Sequence, residues 1–131
     1  MADPKTAGET FLAENKTKPG VKTTASGLQY KVIQEGDGES PKASNTVRCH
    51  YEGRCVNGKV FDSSYARGEP ASFPLNAVIS GWTEGVQLMK AGSKFEFYIP
   101  SGLAYGPRGV PPIIGPNETL IFVVELLAIE K

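Results

Sequence analysis

The chain is poor in cysteine, has a single histidine, and carries no excess of either charge. Lys and Arg together number 14, as do Asp and Glu, so its formal net charge at pH 7 is zero. That removes the one-signed surface on which nucleic-acid binders and binders of anionic membranes depend. Long apolar runs are missing as well. The longest, Leu120 to Ile129, is broken by Glu125 and is far shorter than the roughly 20 residues of a membrane-spanning helix. The N-terminal MADPKTAGETF has no apolar core of the kind a secretory leader needs. These absences predict a soluble, cytoplasmic protein with neither nucleic acid nor membrane as a partner.

The two cysteines, Cys49 and Cys55, lie in what reads as one extended segment, which would set their Cα atoms roughly 20 Å apart. A disulfide requires about 7 Å or less, so free thiols and a reducing compartment are expected. The stretch CHYEGRC offers Cys49, His50 and Cys55 as metal ligands, but no second ligand pair follows and the only histidine is already used. Structural cysteines and no metal are the expectation. The glycines form neither GxGxxG nor GxxxxGK followed by Ser or Thr, so phosphate cradling and a nucleotide cofactor are unsupported. GDGES at 36–40 matches part of a calcium loop without the remaining ligands and reads as a turn. No nucleophile–base pair stands out. His50 falls on the opposite strand face from Tyr51, as a bystander.

What the chain does have is alternation. In LQYKVI, Leu28, Tyr30 and Val32 share a face; in VRCHYEG, Val47, Cys49 and Tyr51 do. KFEFYI sets Phe95, Phe97 and Ile99 against Lys94, Glu96 and Tyr98, and ASFPLN groups Ala71, Phe73 and Leu75. LIFVVELLAI is apolar on both faces apart from Glu125, as a central strand would be. Asn57-Gly58 marks a hairpin. One segment has helical spacing instead: Ile79, Trp82, Val86 and Met89, with Ser80 as a candidate N-cap and Gly92 as a candidate left-handed stop. The pattern predicts an α+β domain over residues 27–131, a twisted antiparallel half-barrel wrapped around one short helix. Residues 1–26 hold few sizeable apolar side chains and read as a flexible tail, with a short helical turn near Glu9–Asn15.

Between two strand-like segments lies AYGPRGVPPIIGP at 104–116, which proline bars from a sheet ladder or a helix interior. A stiff loop carrying Tyr105, Val110, Ile113 and Ile114 suggests an apolar object against it. The remaining aromatic set, Tyr51, Phe61, Phe73, Trp82 and Phe122, has two polar companions. Asp62 directly follows an aromatic and, if buried, needs a partner; Arg67 is the candidate.

Taken in order, CHYEG at 49–53, FDSSYARG at 61–68, VISGW at 78–82, AYG at 104–106 and LIFVVELL at 120–127 resemble the FKBP-type peptidyl-prolyl cis-trans isomerases. The resemblance covers about residues 20–131. The lead-in FLAENKTKPGV and SGLQYKV looks like the macrophage-infectivity-potentiator branch, without room for that branch's long dimerising helix, so a monomer is expected. The resemblance implies an apolar pocket between sheet and helix that turns X–Pro bonds. In it Trp82 would be the floor, Tyr51, Phe61 and Phe122 the walls, and Val78 and Ile79 the edge at the helix. Tyr105 and the Ile79 backbone N–H would be the polar anchors, Asp62 the pocket carboxylate and Arg67 its ionic partner. Val110, Ile113 and Ile114 would close the loop over proline.

The implied partners are proline-containing segments, unfolded proteins and macrolides of the tacrolimus and rapamycin type, with no cofactor. Val110 stands where many members place a histidine, and the Phe73–Trp82 connection is short for the small single-domain members; both touch the rim and bear on macrolide preference. The alternative reading is a non-catalytic module of the same fold that holds proline peptides or acts as a chaperone. A scaffold role with residues 1–26 as a docking arm is disfavoured by that segment's low apolar content.

Overall fold

The computed structural model describes residues 3–130. Its centre is an antiparallel sheet of seven strands: β1 (Val21–Thr23), β2 (Gln29–Gln34), β3 (Thr46–Cys55), β4 (Val60–Ser63), β5 (Ala71–Pro74), β6 (Lys94–Ile99) and β7 (Leu120–Glu130). The order is β1-β2-β6-β7-β3-β4, with β5 pairing the first half of β3, and the sheet stays open. Period-two patterning sets its faces. Val47, Cys49 and Tyr51 of β3 and Phe95, Phe97 and Ile99 of β6 are buried inward, as their alternation predicts. β7 runs between β3 and β6 and is buried along most of its length, which is why its sequence is apolar on both faces.

The sheet curves around α3 (Ser80–Val86), which buries Trp82 and Val86. Two glycines decide how close the helix comes. A Cβ on Gly81 would sit 2.6 Å from Ile99, and one on Gly85 2.6 Å from the Phe97 ring. The i, i+4 glycine pair therefore places the helix backbone directly on β6.

The helix ends differ from the sequence reading. Ser80 is the first helical residue, and Ile79 occupies the N-cap without a side-chain bond; its side chain lines the pocket instead. Gly92 is left-handed, at φ +96°, but it lies beyond the helix, and its N–H bonds Leu126 to start β6. The helix itself ends through tighter bonds, Leu88 N–H to Gly85 and Met89 N–H to Val86.

The larger correction concerns the N-terminal segment. Where a short turn was expected, α1 spans Pro4–Asn15. Asp3 caps it by accepting from the Thr6 N–H at 2.8 Å, with Pro4 at the first position. The helix is held with little apolar surface. Gly8 lets it approach Thr119, where a Cβ would come within 2.3 Å of the hydroxyl. Phe11 meets the Tyr98 ring at 5.9 Å, and the buried Asn15 amide donates to Gln29 at 2.8 Å, which in turn donates to the Leu12 carbonyl at 3.0 Å. β1 then pairs with β2.

The hairpin at Asn57-Gly58 joins β3 to β4, with Gly58 at φ +93°. The connection between β1 and β2 is tied to the pocket helix: Thr24 and Ser26 each donate a hydroxyl to the Glu84 carboxylate at 2.6 Å. Both thiols are free and buried. Among the described residues no helix is long and apolar enough to cross a membrane, and no cluster of three His, Cys, Asp or Glu could hold a metal.

Candidate active site

Between the concave face and α3 lies a pocket of about 350 Å³. Its floor is Trp82, which is 4% exposed. Three rings meet it edge-on: Tyr51 at 5.4 Å, Phe73 at 5.4 Å and Phe122 at 5.5 Å between centroids. Phe61 meets Phe122 in the same manner at 5.5 Å. Edge-to-face contacts are the favoured aromatic geometry and fix each ring's tilt. Gly53 of β3 makes the Phe61–Phe122 pair possible, since a Cβ there would come within 2.6 Å of both rings.

The polar wall is a three-membered network. The Tyr51 hydroxyl donates to Asp62 at 2.6 Å, and Arg67 donates to the Tyr51 hydroxyl at 3.0 Å and pairs with Asp62 directly. Burial raises the Asp62 carboxyl, but the bonds from Tyr51 and Arg67 and the guanidinium charge outweigh it and hold the group below the ordinary carboxylate value. Burial, followed by the bond to Asp62, raises the Tyr51 phenol; burial, followed by the Asp62 charge, raises the Tyr105 phenol. At neutral pH both phenols are protonated and Asp62 is ionised, so the pocket lacks a group poised to exchange protons.

Arg67 reaches this network from α2 (Ser64–Arg67), a single turn closed by the left-handed Gly68. Ser63 caps that turn by accepting from the Ala66 N–H at 3.2 Å. Ser64, fully buried, docks it on β3: its hydroxyl accepts from the Tyr51 N–H at 2.7 Å and lies 3.2 Å from the Tyr51 carbonyl. His50 Nδ1 shares the same hydroxyl at 2.8 Å, and its ring stacks on Tyr65 at 4.7 Å. The lone histidine thus stands outside the pocket lining.

The structure brings Tyr51, Phe61, Asp62, Val78, Ile79, Trp82, Tyr105 and Phe122 into one lining. Arg67 lies behind Asp62. Val110 and Ile113 are outside the lining and exposed at 41% and 48%, whereas Ile114 is 3% exposed and belongs to the core. Ile114 also bridges back to Val110 through two backbone bonds; the loop is pinned by one isoleucine and presents the other. Phe73 and Ala77 complete the pocket. Phe73 carried a signal in its strand alternation; Ala77 carried none.

Two hydrogen-bond donors at the pocket remain open. The Ile79 N–H precedes the helix and has no acceptor among the described residues. The Tyr105 hydroxyl, on a residue 39% exposed, likewise has no partner there.

Residues 37–127 match the family model described as FKBP-type peptidyl-prolyl cis-trans isomerase, and residues 1–32 match that of the domain amino terminal to it. The chain is similar to the peptidyl-prolyl cis-trans isomerase Mip of Coxiella burnetii, 58% identical over 121 residues, which is 92% of this chain and 53% of that protein. It is 60% identical over 124 residues to FkpA of Aeromonas hydrophila, covering 95% of this chain and 46% of the relative. The chain therefore spans about half the length of the curated relatives it matches. Among solved structures it superposes on FkpA from Escherichia coli with a TM-score of 0.94 at 48% identity, over 98% of this chain and 60% of that one. A peptidyl-prolyl cis-trans isomerase from Pseudomonas syringae gives 0.91 at 40% identity, over 100% and 98%.

Proposed function

The chain belongs to the FKBP-type peptidyl-prolyl cis-trans isomerase family, and from that premise we propose that its aromatic pocket accelerates rotation about X–Pro bonds in peptide segments and unfolded proteins. The observation that carries this reading is the ring cup around Trp82 with two open donors, the Ile79 N–H and the Tyr105 hydroxyl, beside it.

Rotation faces a barrier of roughly 18–20 kcal/mol set by amide resonance. No covalent bond breaks, so the missing acid–base pair is no obstacle. The planar amide is more polar than the twisted one, and water favours the planar form. A pocket walled by aromatic rings withdraws that preference, while a donor on the flanking carbonyl holds one side as the other turns. Each 1.36 kcal/mol removed from the barrier is tenfold in rate. Asp62, ionised and doubly bonded, fixes the Tyr51 ring rather than moving a proton.

The same cup, open donors and exposed Ile113 would take a macrolide of the rapamycin type. The 131-residue chain works as a monomer in this reading, because Phe11, Gly8 and Asn15 of α1 are turned onto its own sheet. A protease-coupled assay with an apolar residue before proline, with and without rapamycin, tests the proposal. Exchange no faster than in buffer, for folded protein, would sink it; light scattering at twice the chain mass would overturn the monomer.

A further inference from the structure

A second cavity, of about 260 Å³, opens on the opposite face of the sheet, between α1, its exit loop and the outward side chains of β2, β3, β6 and β7. Sheet alternation separates it from the aromatic pocket: Ile121 lines the outer cavity and its neighbour Phe122 the inner one. Its polar groups are unbalanced. Lys18, Lys31 and Arg54 face a single carboxylate, Glu96. Both oxygens of that carboxylate are already engaged, one by the Tyr98 hydroxyl at 2.6 Å and the other by Arg54 at 3.3 Å. Neither lysine forms an ion pair among the described residues. The Lys31 stem lies along the Gly20 turn, whose missing Cβ would be 3.6 Å from it. Phe11, Val21 and Ile121 supply an apolar floor.

A partly buried guanidinium with unused donors, flanked by two unpaired ammonium groups and an apolar wall, selects an oxyanion attached to a small apolar body. We propose that this cavity is a second binding site, independent of the isomerase pocket, for a peptide carboxylate with an apolar residue next to it. The carboxylate would lie between Lys18, Lys31 and the free edge of Arg54, and the apolar side chain against Phe11 and Ile121. The surplus of positive charge would select acidic segments.

The test is a two-dimensional amide NMR titration of the 131-residue protein. The probes are N-acetyl-Leu-Glu-amide, the Gln counterpart, and inorganic phosphate. The Glu peptide should shift the Val21, Lys31, Arg54 and Ile121 amides saturably and leave those of Trp82 and Tyr51 in place. The Gln peptide should bind at least tenfold more weakly, as should the Glu peptide to Lys31→Glu and, separately, to Lys18→Glu. Both lysines are exposed, and retained spectral dispersion checks that the variants fold. Equal binding of the Gln peptide, no loss in either variant, or no shifts around the outer cavity overturns the site. Phosphate binding as tightly as the Glu peptide overturns the peptide assignment.

Discussion

Ile113 and Ile114 are neighbours in sequence and opposites in burial: the first is 48% exposed and the second is 3% exposed in the core. Ile114→Ala should cost about 2–5 kcal/mol, as buried truncations do. Ile113→Ala should leave the denaturation midpoint nearly unchanged while kcat/KM falls, roughly tenfold for each 1.4 kcal/mol of lost transition-state contact. Denaturant unfolding with the isomerisation assay separates the two; a collapsed midpoint for Ile113→Ala would make it structural. Asp62 supports a second expectation. Its ionised form gains partners on folding, so the stability it contributes is complete above the ordinary carboxylate range and is lost as pH falls through its lowered native value. A carbon-detected titration should place its midpoint below the ordinary value of about 3.9. The stability gap between the protein and Asp62→Asn should close as the solution is acidified through that midpoint. The rings and charges of the pocket were legible because they are large, and sit in spaced motifs. Ser64 and Gly53 were not, since a buried hydroxyl that docks a helical turn and a missing Cβ that admits two rings leave no mark in periodicity.

Strands were the most legible elements. Their period-two pattern survives because one face is buried whatever lies beyond it, and a register slip would turn every inward side chain outward. The helices were harder. The stripe of Ile79, Trp82, Val86 and Met89 located α3, but its closest contact with the sheet is made by Gly81 and Gly85, which a search for apolar residues passes over. Gly85→Ala should therefore destabilise, against the usual gain of alanine in a helix. The added methyl meets the Phe97 ring at 2.6 Å, inside a core where overpacking costs typically 1–3 kcal/mol. Thermal unfolding checks the sign; a stabilised variant would show that the helix shifts freely. α1 was missed for a related reason. Its docking uses Gly8, a buried amide pair and one ring, so composition alone gave it too little apolar surface to hold.

For the molecule as a whole, the antiparallel sheet wrapped around one short helix followed from pattern and resemblance, whereas the strand order and the attachment of residues 4–23 to the sheet depended on contacts between distant residues that no local rule encodes. The thiols give a test of the intact fold. Burial pushes the Cys49 thiol up to about 12, and burial with the Glu118 charge raises Cys55, so neither presents a thiolate near neutrality. A thiol reagent at pH 8 should modify neither cysteine in the native protein and both after unfolding without reductant. Rapid native labelling of one would show that its strand opens locally.

The Glu84 carboxylate ties the first hairpin to the pocket helix, bridging sixty residues of chain through Thr24 and fifty-eight through Ser26. Both bonds must break before the hairpin can lift away from the helix that carries Trp82. Amide protons of the hairpin and of α3 should therefore exchange with solvent as one cooperative unit, at one opening free energy. Glu84→Gln, which weakens the clasp without removing its bulk, should split that unit in two. The first hairpin is thus fastened to the pocket floor, so strain applied to it would be felt first at the helix that carries Trp82.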